Sequence, residues 1–387
     1  MLFTIHAYNI DGFVKLNHKF ARRLNKIIDG KFNSINNFSK VCRVNRKAIE
    51  GLCQRNKGHM GFIKTTRLFV ISDFLRLDKR LVEKQISLYK DSKLGAYNRI
   101  YRIKFPYAFA PLVIRPIAHM IGDGSIYKDH LRYSQQNVKY IKKLSENITN
   151  PVARLKLTRS FNKDGSFKEE TFHVPMFLAK CACHILNINR NQFSPSSFLK
   201  RCLNLPKEYR VQVLAAIFVD EGCIKTNLIG MKNKEIMMDV CKLIDSLCYK
   251  RGALKHEKLL QTYKGKIYIL DFYTVRLSIV GLCSFIKDIN ESVGKYGIMA
   301  GLFNKQKDSE KRISLHEQYV TKHNEIEALT KRVITFLKNR DMVDYSEIIT
   351  EFGLNMNIRY ILNKLVRNGT AFRESRGVYS YAKNERT

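Results

Sequence analysis

Asp123 and Glu221 are the carboxylates whose surroundings could do chemistry together. Each closes one copy of a ten-residue stretch: Ile117-Ala118-His119-Met120-Ile121-Gly122-Asp123-Gly124-Ser125-Ile126 and Ala215-Ala216-Ile217-Phe218-Val219-Asp220-Glu221-Gly222-Cys223-Ile224. Both run from an apolar helical segment through an acid and a glycine to a small and then a β-branched residue. The acids are 98 residues apart, about the length of one small domain, which suggests a duplicated unit rather than a solenoid of much shorter repeats. Two carboxylates brought together repel, so one stays protonated unless a cation sits between them. Hard oxygen donors, water and phosphate oxygens suit Mg²⁺ or Mn²⁺, and paired sites can stabilise the attacking and leaving oxygens of a phosphodiester. Asp220 leaves the second acid open to a shift of one position; Glu221 is preferred because it immediately precedes the glycine. The plainer reading is turn chemistry after two apolar helices, and the matched elements that follow each copy weigh against it.

Those elements must present the acids. Pro111 and Pro116 restrict the residues before them, so a helix is expected to begin near Pro116, with Ile117, Met120 and Ile121 as its body and Gly124 at its end. Residues 125–134 read as strand, turn and strand, and 138–148 as a helix from the spacing of Ile141, Leu144 and Ile148. Strands at 152–158 and 171–174 flank Asp164-Gly165, and 176–186 is an apolar helix. The order recurs: 223–231 extended, 234–247 helical, 253–262 and 266–279 paired strands, 282–289 helical. Each half reads αββαββα, and two such units predict an α+β fold with two four-stranded antiparallel sheets about a pseudo-twofold axis.

Over about residues 106–300 this pattern resembles the LAGLIDADG homing endonucleases, with halves 106–200 and 201–300, and Leu205-Pro206 before the second helix is also similar. The resemblance implies a monomeric, Mg²⁺- or Mn²⁺-dependent endonuclease that hydrolyses phosphodiester bonds at one site in double-stranded DNA, with Asp123 and Glu221 as metal-binding catalytic acids. It puts Ala118 and Gly122, and Ala216 and Asp220, at the small-residue positions of the two helices. Small residues four apart leave a shallow stripe along which backbones can approach. His119 and Asp220 depart from the motif, being polar where it has apolar or small residues, and Val219 replaces its first aspartate. Lys156 and Lys255, 99 residues apart, lie in the first strand after each middle helix, where the family often carries basic or polar pocket residues; they would polarise the scissile phosphate, or else belong to a solvated strand face. The sheets would form a saddle whose outward side chains read major-groove edges. Candidate readers, taken as a group, are Tyr127, Lys128, Arg132, Tyr133, Gln135, Arg154, Lys225, Asn227, Lys232, Lys258, Gln261, Tyr273 and Arg276.

The flanks read as all-α DNA-binding units. In residues 1–95, a helix at 38–42, a turn at Arg43-Val44-Asn45 and a helix at 46–54 resemble a repressor-type helix-turn-helix. Val44, Ile49 and Leu52 would face inward, and Arg46, Lys47, Glu50 and Gln54 would be offered to a major groove. Later helices are expected near 65–74 and 79–88. Residues 301–324 read as a charged linker. Residues 325–387 resemble a winged helix: Ile326, Leu329, Val333 and Leu337 mark its first helix, 345–352 the second, and 357–368 a third with Arg359, Lys364 and Arg367 outward. A hairpin turning at Ser375-Arg376-Gly377 would be the wing.

A net charge of +35 over 387 residues opposes compaction unless an acidic partner relieves it. Double-stranded DNA leads, with intron RNA second. An anionic membrane surface would call for a basic amphipathic helix or lipidation signal, and neither is evident. No run approaches the about eighteen apolar residues of a spanning helix. His6, Asn9 and Asp11 interrupt the apolar core a signal peptide would need. An intracellular, cytoplasmic and nucleoid-associated place is expected. The nine cysteines contain no CxxC pair and read as reduced, packed thiols. An intein is not expected, since the termini lack a nucleophile and a His-Asn pair. Two alternatives stay open: a DNA-binding regulator on the same scaffold with cleavage lost, and an RNA-splicing maturase.

Overall fold

Residues 2–53, 61–91, 100–122, 124–126, 131–135, 139, 141–144, 157–189, 192–263, 266–302, 305–353 and 356–382 are described in a computed structural model of the chain. The chain divides into two compact units, Met1–Ser309 and Glu310–Thr387. Among the described residues no helix is long and apolar enough to cross a membrane.

In the first unit, β1 (Phe3–Ile5) finds its partner far along the chain, in β6 (Tyr107–Phe109). β2 (Phe13–Leu16) buries alternate residues, Val14 and Leu16, the period of a half-buried strand. It pairs with β3 (Ile63–Lys64) and β4 (Ile86–Lys90), and β4 pairs with β5 (Ile100–Tyr101), giving a sheet of order β3-β2-β4-β5. Against these strands lie α1 (His18–Phe32), α2 (Ile35–Cys42), α3 (Arg46–Leu52), α4 (Thr65–Phe74) and α5 (Lys79–Glu83). Side-chain caps start the first three: Asn17 accepts from the Phe20 amide, Ser34 from Asn37 and Asn45 from Lys47, each satisfying a donor the helix leaves open. This flank is therefore not all-α. The helix expected over 79–88 stops at Glu83, and the following residues become β4 because Tyr89, fully buried, packs its ring 5.1 Å from Phe177 and 6.2 Å from both Tyr101 and Phe105. Long-range aromatic packing decides the element here.

α6 (Pro111–Ala118) opens at Pro111, earlier than the Pro116 start expected from sequence. Pro111 takes the first helical position, where a missing N–H is harmless, and Pro116 lies inside the helix. Then come β7 (Gly124–Ile126), β8 (Leu131–Gln135), helical residues 141–144, β9 (Leu157–Phe161), β10 (Phe167–Val174) and α7 (Met176–Leu186). α8 (Pro195–Cys202), absent from the sequence reading, leads into α9 (Lys207–Glu221), which buries every residue from Val211 to Val219. A helix apolar all round belongs at the centre of its core, and α6 packs against it. β11 (Gly222–Cys223), β12 (Leu228–Met231), α10 (Lys234–Ser246), β13 (Lys255–Tyr263), β14 (Lys266–Arg276) and α11 (Ile279–Tyr296) follow. The sheets β7-β8-β10-β9 and β11-β12-β14-β13 are both antiparallel and share one strand order. The architecture is α+β.

α12 (Gln306–Lys338) starts in the first unit and runs on into the second. Residues 306–324, read as a linker, are helical: they contain no Gly or Pro to break a run of ordinary helix formers. The second unit continues with β15 (Val343–Asp344), α13 (Tyr345–Phe352), α14 (Met356–Arg367), β16 (Ala371–Ser375) and β17 (Val378–Tyr381), its sheet ordered β15-β17-β16. Asp344 and Glu347 form a capping box that opens α13. Val333, Leu337, Ile348, Ile361, Leu365 and Tyr379 are among its core. With three strands, this flank is not all-α either.

Candidate functional site

The contact between α6 and α9 is built in layers. Arg115 and Gln212, both fully buried, form the first. The Arg115 guanidinium donates to the carbonyls of Met299 (2.7 Å) and Gly301 (2.5 Å) and to Gln212 Oε1 (3.4 Å), while Gln212 Nε2 donates to the Ala300 carbonyl at 3.4 Å. These bonds stand in for the water a buried cation loses, and they tie residues 299–301 across the helix pair. Ala118 and Ala216, fully buried, form the next layer.

At the following turn Gly122 meets Asp220. A Cβ built on Gly122 would stand 2.6 Å from Asp220 Cβ and 2.8 Å from Oδ2, so only glycine fits this approach. The Asp220 carboxylate is fully buried and accepts from His119 Nδ1 at 3.0 Å and from the Tyr133 hydroxyl at 2.9 Å. The His119 and Tyr133 rings stack at 4.2 Å and 21°. Asp220 is thus spent inside the helix contact, and Glu221, the next residue, ends α9 half-exposed.

The end of α9 is held from a distance in sequence. Lys305 Nζ donates to the carbonyls of Phe218 (2.8 Å), Val219 (2.6 Å) and Gly222 (2.5 Å) and lies 5.8 Å from the centre of the Phe218 ring. A lysine here satisfies carbonyls that a helix end leaves open and sets positive charge against the negative end of the helix dipole, which Glu221 would otherwise worsen. A Cβ on Gly222 would sit 2.5 Å from the Phe218 carbonyl oxygen, so the passage from helix to β11 also needs glycine. Cys223 follows, exposed; hydrogen bonds from the Thr226 side chain and backbone hold its thiol below the usual range, and Lys305 adds to the effect.

Strand register places other candidates. Cys223 is opposite Leu228, Leu228 opposite Arg276, and Gly230 opposite Thr274, which faces Lys255 across β13. Directly opposed residues share a sheet face, so Cys223, Arg276 and Lys255 line one face of the sheet that begins where Glu221 ends. Gln261 shares that face, whereas Lys258 and Tyr273 project from the other; Tyr273 stacks on His256 at 4.8 Å. These candidate readers therefore cannot all face one groove. Tyr133 and Asn227 are buried and read nothing. Lys225, Lys232 and Arg276 are exposed and Arg132 half-exposed. Gln135 lies in β8 opposite Glu170. Asp123, Lys156, Lys128, Arg154, Gln54 and Tyr127 lie outside the described residues.

On α3, Lys47 and Arg46 are exposed, but Arg46 Nε is held by Glu50 Oε1 at 2.7 Å. On α14, Arg359, Lys364 and Arg367 are exposed. Sequence reasoning missed Arg115 and Lys305. Arg115 carried a faint signal, a cation within an apolar run; Lys305, read as part of a linker, carried none. Among the described residues no group of three or more His, Cys, Asp or Glu side chains could hold a metal ion.

In three dimensions the chain is similar to mesophilic variants of the homing endonuclease I-DmoI, at 14% sequence identity and a TM-score of 0.28, over 46% of this chain and 87% of that one. It is also similar, at 14% identity, to an I-DmoI variant in complex with its target DNA in the presence of Mg (TM-score 0.29; 46% of this chain, 96% of that one). A third likeness, again 14%, is to I-DmoI in complex with DNA and Ca (TM-score 0.27; 47% and 88%). No family model matches the chain, and no curated protein matches it.

Proposed function

We propose that this chain is a site-specific double-stranded DNA endonuclease of the LAGLIDADG homing type. The observation that supports the reading is the close approach of Gly122 to Asp220, the residues that precede Asp123 and Glu221 in the sequence. In this reading the two halves are related by a pseudo-twofold axis, and each acid serves one strand of the duplex.

The residues present fit Mg²⁺ or Mn²⁺. Such ions take one or two carboxylates with water and phosphate oxygens completing the shell, and Glu221 is half-exposed at a helix end rather than sealed in the core. When bound, the ion would supply the charge that lowers the pKa of an attacking water and stabilises the departing oxygen. Asp123 and Glu221 hold it; Lys305 keeps the Glu221 turn rigid; Lys255, and Lys156 in the first half, donate to the scissile phosphate. Lys225, Lys232 and Arg276 contact the duplex. The α2–α3 pair acts as a helix-turn-helix, and the second unit as a winged helix with Arg359 and Lys364 toward DNA. The excess of positive charge over the whole chain supports a polyanionic partner.

The test is a randomised duplex library. DNA bound in Ca²⁺ is selected and exchanged into Mg²⁺, and new ends are sequenced, with Asp123→Asn alongside. Staggered breaks at one enriched sequence, lost in the variant, are expected. Specific binding without breaks would instead leave a DNA-binding regulator, and selective binding of structured RNA a maturase.

A further inference from the structure

Helix α1 divides its residues by chemistry. Ala21, Leu24 and Ile28 are buried, while Lys19, Arg22, Arg23 and Lys26 are exposed. At about 100° per residue, the four cations fall within an arc of about 100°, opposite the buried three. No acid interrupts the arc. The single acid of α1, Asp29, receives the Asn25 amide at 3.2 Å, and among the described residues none of the four cations makes an ion pair. The first turn also contains no acid, so the positive end of the helix dipole is left unopposed. Gly30 lies on the same arc, with nothing within 4 Å of where its Cβ would stand.

α3 is different. Its exposed Arg46 is tied to Glu50, and that carboxylate would itself repel a phosphate, leaving Lys47 as the unopposed cation. We infer that α1 lies along the phosphate backbone of duplex DNA beside the cleavage site, and that it supplies more of the salt-dependent affinity of the N-terminal segment than α3, the helix offered to the groove. The inference rests on reading the chain as a DNA endonuclease. Closely spaced cations with no base-reading partners suit phosphates, which fix position without carrying sequence.

The test combines Lys19→Gln, Arg22→Gln, Arg23→Gln and Lys26→Gln in one variant of the full chain, with Lys47→Gln as the comparison and circular dichroism to confirm folding. Binding in Ca²⁺ is measured from about 50 to 200 mM KCl on the selected duplex, a scrambled duplex and a structured RNA. Each lost phosphate contact lowers the slope of log K against log salt by about 0.9. The fourfold variant is expected to lower it by about 3 to 4, with at least tenfold weaker binding to both duplexes alike, and Lys47→Gln by no more than about 1. An unchanged slope in the fourfold variant, a larger effect of Lys47→Gln, or a loss confined to RNA overturns the inference. Absence of any duplex binding by the unaltered chain overturns the nuclease reading with it.

Discussion

His119 and Asp220, the two polar residues that break the apolar pattern of the motif helices, are each other's partner: Nδ1 lies 3.0 Å from Oδ2, and both side chains are fully buried. Each departure taken alone looks like a defect in a helix contact. Together, with the Tyr133 hydroxyl on the same carboxylate, they form a satisfied polar layer.

Removing one partner should hurt more than removing both. His119→Ala strips the buried carboxylate of one donor, and stability is expected to fall by about 1.5–3 kcal/mol, read as a lower urea midpoint. His119→Leu combined with Asp220→Ala should recover much of that loss. A double variant as unstable as the sum of the singles would show that the two residues are not coupled.

Gly122→Ala places a methyl against Asp220, where a Cβ has 2.6 Å to its nearest neighbour. Overpacking of this kind costs typically about 1–3 kcal/mol, and the helices must separate to relieve it. A lower Tm and loss of cleavage are expected together. An unchanged Tm would contradict a glycine-only contact between Gly122 and Asp220.

Lys305→Met removes three donors from carbonyls at the end of α9. A stability loss of about 1–2 kcal/mol is expected from a partly buried charge at a helix C-terminus. Cleavage should fall while DNA binding in Ca²⁺ persists. Cleavage at the original rate would show that Glu221 is held without this lysine.

Thiol labelling separates the cysteines by pH. Burial pushes the Cys181 and Cys202 thiols well up, whereas Cys223 is exposed and held low by Thr226. A lowered pKa means more thiolate at a given pH. Iodoacetamide should therefore label Cys223 early, with its rate rising at lower pH than that of an ordinary thiol, and reach Cys181 and Cys202 only on unfolding. Mass spectrometry of digests checks this; Cys181 labelled as fast as Cys223 in the native protein would contradict it.

The second acid–glycine helix end and the helix after it were legible because their signals are local: Glu221-Gly222 closes an apolar run, and the spacing of Ile236, Val240 and Ile244 needs no knowledge of the rest of the chain. The first was not read in full: its helix closes at Ala118, short of the end expected at Gly124. The N-terminal sheet was not legible. β3 has two residues, and β2, β3 and β4 meet across long separations, so no single window announces them. Tyr133 looked like a base reader because sequence gives alternation without saying which face is inside. Lys305 was illegible for the same reason as Arg115: their acceptors lie more than 80 residues away.

Single-turnover cleavage of the selected duplex by Glu221→Gln tests the central claim most directly. The substitution keeps size and removes the charge, and Ca²⁺-supported binding should persist. Cleavage of the strand served by Glu221 is expected to fall at least about a hundredfold, the scale of removing one electrostatic stabiliser. Cutting of both strands at the original rate would contradict the assignment of Glu221 and, with it, the paired-acid site.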